Sequence, residues 1–113
     1  MDQKVKEAWV AALRSGKYKQ GKDALRKLDN SFCALGVLYD VIDPEGWTIK
    51  VRRFTPNMKD VRLTRIGYIH KLSDEFTGAS VGELDLITRL NDGSYPLKPH
   101  SFAEIADKIE KEL

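Results

Sequence analysis

The segment Gly16-Lys17-Tyr18-Lys19-Gln20-Gly21-Lys22 has the G-x-x-x-x-G-K spacing of a phosphate-binding loop. That loop needs a Ser or Thr next, whose hydroxyl holds magnesium, and a buried strand before it. This chain supplies Asp23, whose carboxylate repels phosphate, and an amphipathic helical pattern ahead of Gly16. The segment therefore reads as a basic loop. Cys33 sits in the most apolar stretch, with neither His70 nor His100 near it in sequence. Nothing there lowers a thiol pKa, so it reads as a small buried residue. Two His and one Cys are too few for a structural zinc site. Asp40, Asp43 and Glu45, with Asp74 and Glu75, are hard oxygen donors, but no loop has calcium- or magnesium-site spacing. An enzyme would need a pocket uniting Asp40, Asp43 or Asp74 with His70. The expectation is a non-enzyme with no catalytic set, no metal and no cofactor.

Charge carries more information. The chain has 19 Lys+Arg against 17 Asp+Glu, a formal +2, but the signs are segregated. Arg14, Lys17, Lys19, Lys22, Arg26 and Lys27 face a single acid, Asp23, in residues 14–27. Residues 28–49 hold only acids: Asp29, Asp40, Asp43 and Glu45. Residues 50–71 are basic again, with Lys50, Arg52, Arg53, Lys59, Arg62, Arg65 and Lys71 against Asp60. Such blocks either neutralise one another in the fold or form single-sign patches that attract an oppositely charged partner. The candidate binding surface is Lys17, Tyr18, Lys19, Lys22, Arg26 and Lys27, together with Lys50, Arg52, Arg53, Arg62 and Arg65 beside Tyr68. Cations interleaved with aromatics suit nucleic acid. Against that stand a pI of about 8.7, low for such domains, and a gap between the last two helices too long for a helix-turn-helix.

The elements that must position these residues follow from periodicity. Val5, Ala8, Trp9, Ala12 and Leu13 share one face of a helix over residues 2–15, which Gly16 stops. Residues 17–27 read as a loop or short helical turn anchored by Tyr18 and Leu25. Residues 31–42 are apolar on nearly every side and predict a buried central helix, capped by Asn30 or Ser31 and ended by Pro44. Trp47, Ile49 and Val51 alternate with polar residues, a strand pattern, and Val61 and Leu63 suggest its partner across a turn at Thr55-Pro56-Asn57. A helix from Asn57 to about residue 66 is the rival reading. Ser80-Val81-Gly82-Glu83 and Ser101-Phe102-Ala103-Glu104 both fit the capping box. The first helix should bury Val81, Leu84, Ile87 and Leu90 and stop at Asn91-Asp92-Gly93. The second should bury Phe102, Ile105, Ala106, Ile109 and Leu113.

At 113 residues the chain is one domain, 1–113. One cysteine forbids an internal disulfide. The longest apolar run, residues 32–38, is far short of the ~20 residues of a membrane span. No signal-peptide core follows Met1. The expected class is α+β, mostly helical: about four helices around a buried central helix (31–42), with one β-hairpin at about 47–69. The expected location is the cytoplasm, without membrane contact.

Three stretches together resemble a family of small uncharacterised proteins of bacteriophages and prophages. They are residues 9–21, from Trp9 through Tyr18 and Gln20 to Gly21; Ser31-Phe32-Cys33-Ala34-Leu35-Gly36-Val37-Leu38-Tyr39-Asp40; and Leu90-Asn91-Asp92-Gly93 with residues 101–110, Ser-Phe-Ala-Glu-Ile-Ala-Asp-Lys-Ile-Glu. Residues 46–79 depart from the family pattern. The resemblance implies a phage-type accessory protein and supplies no catalytic residue. Most matched residues are apolar, Gly or caps. Tyr18, Gln20, Asn91 and Asp92 are the polar exceptions, either functional or loop-holding. The expectation is a non-enzymatic interaction module, cytoplasmic in the host, that modulates or inhibits a host nucleic-acid-processing or defence protein. The alternative is direct nucleic-acid binding through segments 14–27 and 50–71.

Overall fold

Helix α1, Gln3–Arg14, starts where Asp2 Oδ1 accepts the Val5 N–H at 3.0 Å. It ends at Ser15, followed by Gly16 in the left-handed region (φ 77°), a conformation glycine adopts without steric cost. Its buried residues are Trp9, Val10 and Leu13. Ala8 is exposed, and Val10 is buried in its place. The buried stripe is shifted towards Val10, and α1 packs against two helices, the central one and the last. The computed structural model of the chain describes residues 1–50, 53–56, 69, 72 and 77–113.

The segment after α1 forms strands where a loop was expected. Strand β1 is Lys19–Gln20, β2 is Arg26–Lys27 and β3 is Ser31–Phe32. β1 pairs parallel with β3, and β2 antiparallel with β3. Asp23 and Asn30 take positive φ (67° and 61°) at the turns between them, as short polar side chains tolerate.

This sheet also moves the start of the central helix. α2 is Ala34–Ile42, not 31–42. Ser31 and Phe32 are held in β3, and the Asp29 carboxylate accepts from the Ser31 amide and hydroxyl at 2.9 and 2.7 Å. The cap is therefore Cys33, whose Sγ accepts the Gly36 N–H at 3.4 Å, and neither Asn30 nor Ser31 plays that role. Every residue from Ala34 to Tyr39 is buried, and the helix ends at Asp43, before Pro44. A Cβ at Gly36 would collide with the Leu25 carbonyl oxygen. Glycine there lets α2 seat directly on the β1–β2 segment.

Strand β4, Trp47–Lys50, pairs antiparallel with β5, Arg53–Pro56. The hairpin is thus tighter than expected: Thr55 and Pro56 belong to the second strand rather than to the turn. Pro56 closes β5 beyond the two positions that pair with β2, where a missing N–H costs no ladder bond. Val61, Leu63 and the rival helix 57–66 lie outside the described residues. The sheet runs β1-β3-β2-β5-β4.

Helices α3, Val81–Asp92, and α4, Phe102–Glu112, both begin with the full capping box, at Ser80/Glu83 and Ser101/Glu104. Gly93, at φ 75°, caps α3. Leu84, Ile87, Leu90, Phe102, Ile105, Ala106 and Ile109 are buried as expected, while Val81 and Leu113 are half-buried. The fold is a mostly helical α+β domain with four helices among the described residues, α1, α3 and α4 sharing one core with α2 beside its small sheet. No helix among those residues is long and apolar enough to cross a membrane.

Candidate functional site: a cationic sheet on two polar networks

Two networks of polar side chains hold the basic segment in place. In the first, Asn91 is fully buried at the end of α3. Its Oδ1 accepts from Gln20 Nε2 at 3.0 Å and from the Ala34 N–H at 3.2 Å. Its Nδ2 donates to Gly21 O and to Asp92 Oδ1, both at 2.9 Å. Gln20 Nε2 also donates to His100 O at 2.8 Å, and Gln20 Oε1 accepts the Phe102 N–H at 3.1 Å. One amide pair thereby joins β1, the start of α2, the end of α3 and the start of α4. No buried side-chain N or O among the described residues lacks a partner, so burial costs these groups little.

In the second network, the Asp40 carboxylate accepts from the Tyr18 hydroxyl at 2.6 Å and from Trp47 Nε1 at 2.9 Å. Partial burial and the bond to Asp40 push the Tyr18 hydroxyl up to about 12. Tyr18 meets Phe32 edge-on, and Trp47 meets Phe32, Tyr39 and Phe54 in the same way. The Arg26 guanidinium lies 3.8 Å from the Phe54 centroid, 5.1 Å from that of Phe32 and 5.5 Å from that of Trp47. Its Nε and Nη2 donate to Asn30 Oδ1 at 3.1 and 2.8 Å. Tyr18 and Arg26 were candidate surface groups. The fold gives both to its own interior contacts.

The remaining bases divide by location. Arg14 bridges to Asp107 and Glu110, each at 2.7 Å, and Lys19 to Asp29 at 3.3 Å. Charge neutralisation within the fold accounts for these two. Lys17 and Lys22 are exposed and Lys27 is half-buried, and none of the three forms an ion pair among the described residues.

Register then joins the two basic segments. β2 pairs with β5 so that Lys27 lies opposite Arg53, and β5 pairs with β4 so that Arg53 lies opposite Lys50. Three cationic positions form one row across three adjacent strands. Arg52, Arg62 and Arg65 lie outside the described residues, as do Tyr68, His70, Asp74 and Glu75.

The other candidate chemistry is structural. Cys33 is buried, and its thiol is pushed up to about 11 chiefly by desolvation, far from a reactive thiolate. Among the described residues no group of three or more potential ligands could hold a metal ion. Gln20 and Asn91 stood out in the sequence only as polar positions inside otherwise apolar motifs. Lys27, Arg53 and Lys50 were candidates by charge, but the alignment of Lys27 with Arg53 had no sequence signal, because it is set between distant segments.

No curated protein and no solved structure matches this chain. Along residues 1–113 it matches the family described as Domain of unknown function (DUF8296), and it belongs to that family.

Proposed function

We propose that the chain is a non-enzymatic interaction module of the phage accessory kind its motifs resemble. It binds an acidic surface of a host nucleic-acid-processing or defence protein through its sheet, and so modulates or inhibits that protein. Its site of action in this reading is the host cytoplasm. The observation that carries the proposal is the row Lys27–Arg53–Lys50 in the register of β2, β5 and β4. Cationic positions aligned in the register of three adjacent strands favour a partner of opposite charge and disfavour others. The aromatic rings beneath it support a protein partner over stacked bases. Tyr18 is bonded to Asp40, and Phe32, Trp47 and Phe54 pack edge-on around Arg26.

Affinity capture from nuclease-treated host lysate at physiological salt tests this reading. The expected result is one host protein retained by the wild-type chain and lost with Lys27→Glu/Arg53→Glu, when circular dichroism shows both chains folded. Equal retention by both chains, or recovery that disappears on nuclease treatment, would contradict it.

A further inference from the structure

The basic segment has a second face, at the opposite border of the sheet from β4. β1 is the edge strand there, and the loop between α3 and α4 is stapled to it. Gly21 O accepts from Asn91 Nδ2, and Gln20 Nε2 donates to His100 O. The loop backbone is fixed at both ends. Gly93 N and Ser94 N donate to Arg89 O at 2.9 and 3.1 Å, Leu97 N to Ser94 O at 2.7 Å, and His100 N to Leu90 O at 2.8 Å. Leu97 packs against the core. On this pinned loop the Tyr95 side chain stands 95% exposed.

Lys22 adjoins Gly21 on one side of the staple, and Lys98 lies two residues before His100 on the other. Both are exposed, as is Lys17 just before β1, and none has an ion pair among the described residues. Asp23 follows Lys22, Glu104 lies one turn past His100, and Asp92 already accepts from Asn91 Nδ2.

A protein interface core gathers several apolar side chains. Here one exposed ring lies on the loop that carries Lys98 and is bonded to the segment that carries Lys17 and Lys22, and the other large exposed hydrophobic of the described residues, Leu28, lies in the turn between β2 and β3. A π-face for a base with cations for flanking phosphates is the recognition chemistry of a single strand.

We propose that the β1 edge and the α3–α4 loop bind single-stranded nucleic acid, with Tyr95 stacking on a base and Lys17, Lys22 and Lys98 contacting the phosphates. This site is separate from the Lys27–Arg53–Lys50 row and does not depend on the sheet's partner. A module with both surfaces would grip a nucleic-acid-processing protein and its substrate strand together.

Fluorescence anisotropy of a labelled oligothymidine with the full chain tests the proposal. Binding is expected to weaken as salt rises, and to fall on the order of tenfold with Tyr95→Ala. Lys22→Glu/Lys98→Glu should weaken it and flatten the salt dependence. Lys4→Glu, a charge change in the first turn of α1, should bind as wild type. Tyr95 is exposed, so Tyr95→Ala should keep the wild-type melting curve. Absence of binding at low salt, wild-type binding by Tyr95→Ala, or preference for duplex over single strand would each overturn the proposal. Loss of oligothymidine binding in Tyr95→Ala with host-protein capture intact separates this site from the sheet row.

Discussion

Gln20 Nε2 donates to Asn91 Oδ1 at 3.0 Å across 71 residues of sequence, and the two amides together satisfy four backbone groups, Gly21 O, Ala34 N, His100 O and Phe102 N. This contact decides where the basic segment sits. It turns a stretch that would otherwise be a solvated loop into the edge of a sheet.

Asn91→Ala removes two donors and an acceptor from a fully buried position. It leaves Ala34 N and Gly21 O without their partner, and each unsatisfied group costs about 1–3 kcal/mol. The expected loss of unfolding free energy is about 3–5 kcal/mol, read as a lower urea midpoint at unchanged slope. A loss below about 1 kcal/mol would show that water replaces the amide without penalty.

Gly36→Ala should be as damaging although it adds one methyl group. The new Cβ meets the Leu25 carbonyl oxygen, a backbone atom that also accepts the Cys33 N–H. Relief requires separating α2 from the β1–β2 segment, at a cost of about 3 kcal/mol. Thermal unfolding measures it.

Cys33 should resist thiol reagents while the chain is folded. Its thiol is buried and held near 11 by desolvation, so modification at pH 8 should proceed at the rate of unfolding and become rapid in denaturant. Fast modification of the native chain would contradict the burial of the α2 cap.

Three carboxyl groups predict the acid limb of stability. Hydrogen bonds from Ser31, with a lesser contribution from Lys19, hold Asp29 down to about 2 from 3.8. Bonds from Ser80 and Ser101 lower Glu83 and Glu104. A folded-state pKa below the unfolded one gives stability that is present above the unfolded pKa and lost as pH falls through the folded one. Stability should therefore be flat near neutrality, start to fall near pH 4 to 5 and keep falling towards pH 2. Asp29→Asn should flatten the lowest part of that curve, and a melting series over pH 2–7 reads it.

The parts of the fold that were legible in the sequence are those fixed by neighbours in the chain. Both capping boxes involve residues three apart, and their Ser-x-x-Glu spacing states the contact directly. The buried faces of α3 and α4 follow from helical periodicity for the same reason. What failed was set from a distance. Ser31 and Phe32 look like the start of a helix until Lys19, Gln20 and Arg26 pair with them. Two-residue strands carry no periodicity at all, and Thr55-Pro56-Asn57 reads as a turn although Arg53–Pro56 pairs along Trp47–Lys50. The candidate site split along the same line. Charge segregation was visible, but neutralisation of Arg14 by α4, stacking of half-buried Arg26 on the Phe54 ring and the alignment of Lys27 with Arg53 all depend on tertiary pairing.

In the proposed function the cationic positions Lys27, Arg53 and Lys50 of β2, β5 and β4 bind an acidic partner. Comparing host-protein capture by the wild type with capture by Lys27→Glu/Arg53→Glu, both folded and nuclease-treated, tests it most directly. The expected result is one specific protein held by the wild type and lost on charge reversal. Retention of the same protein by both chains would contradict it.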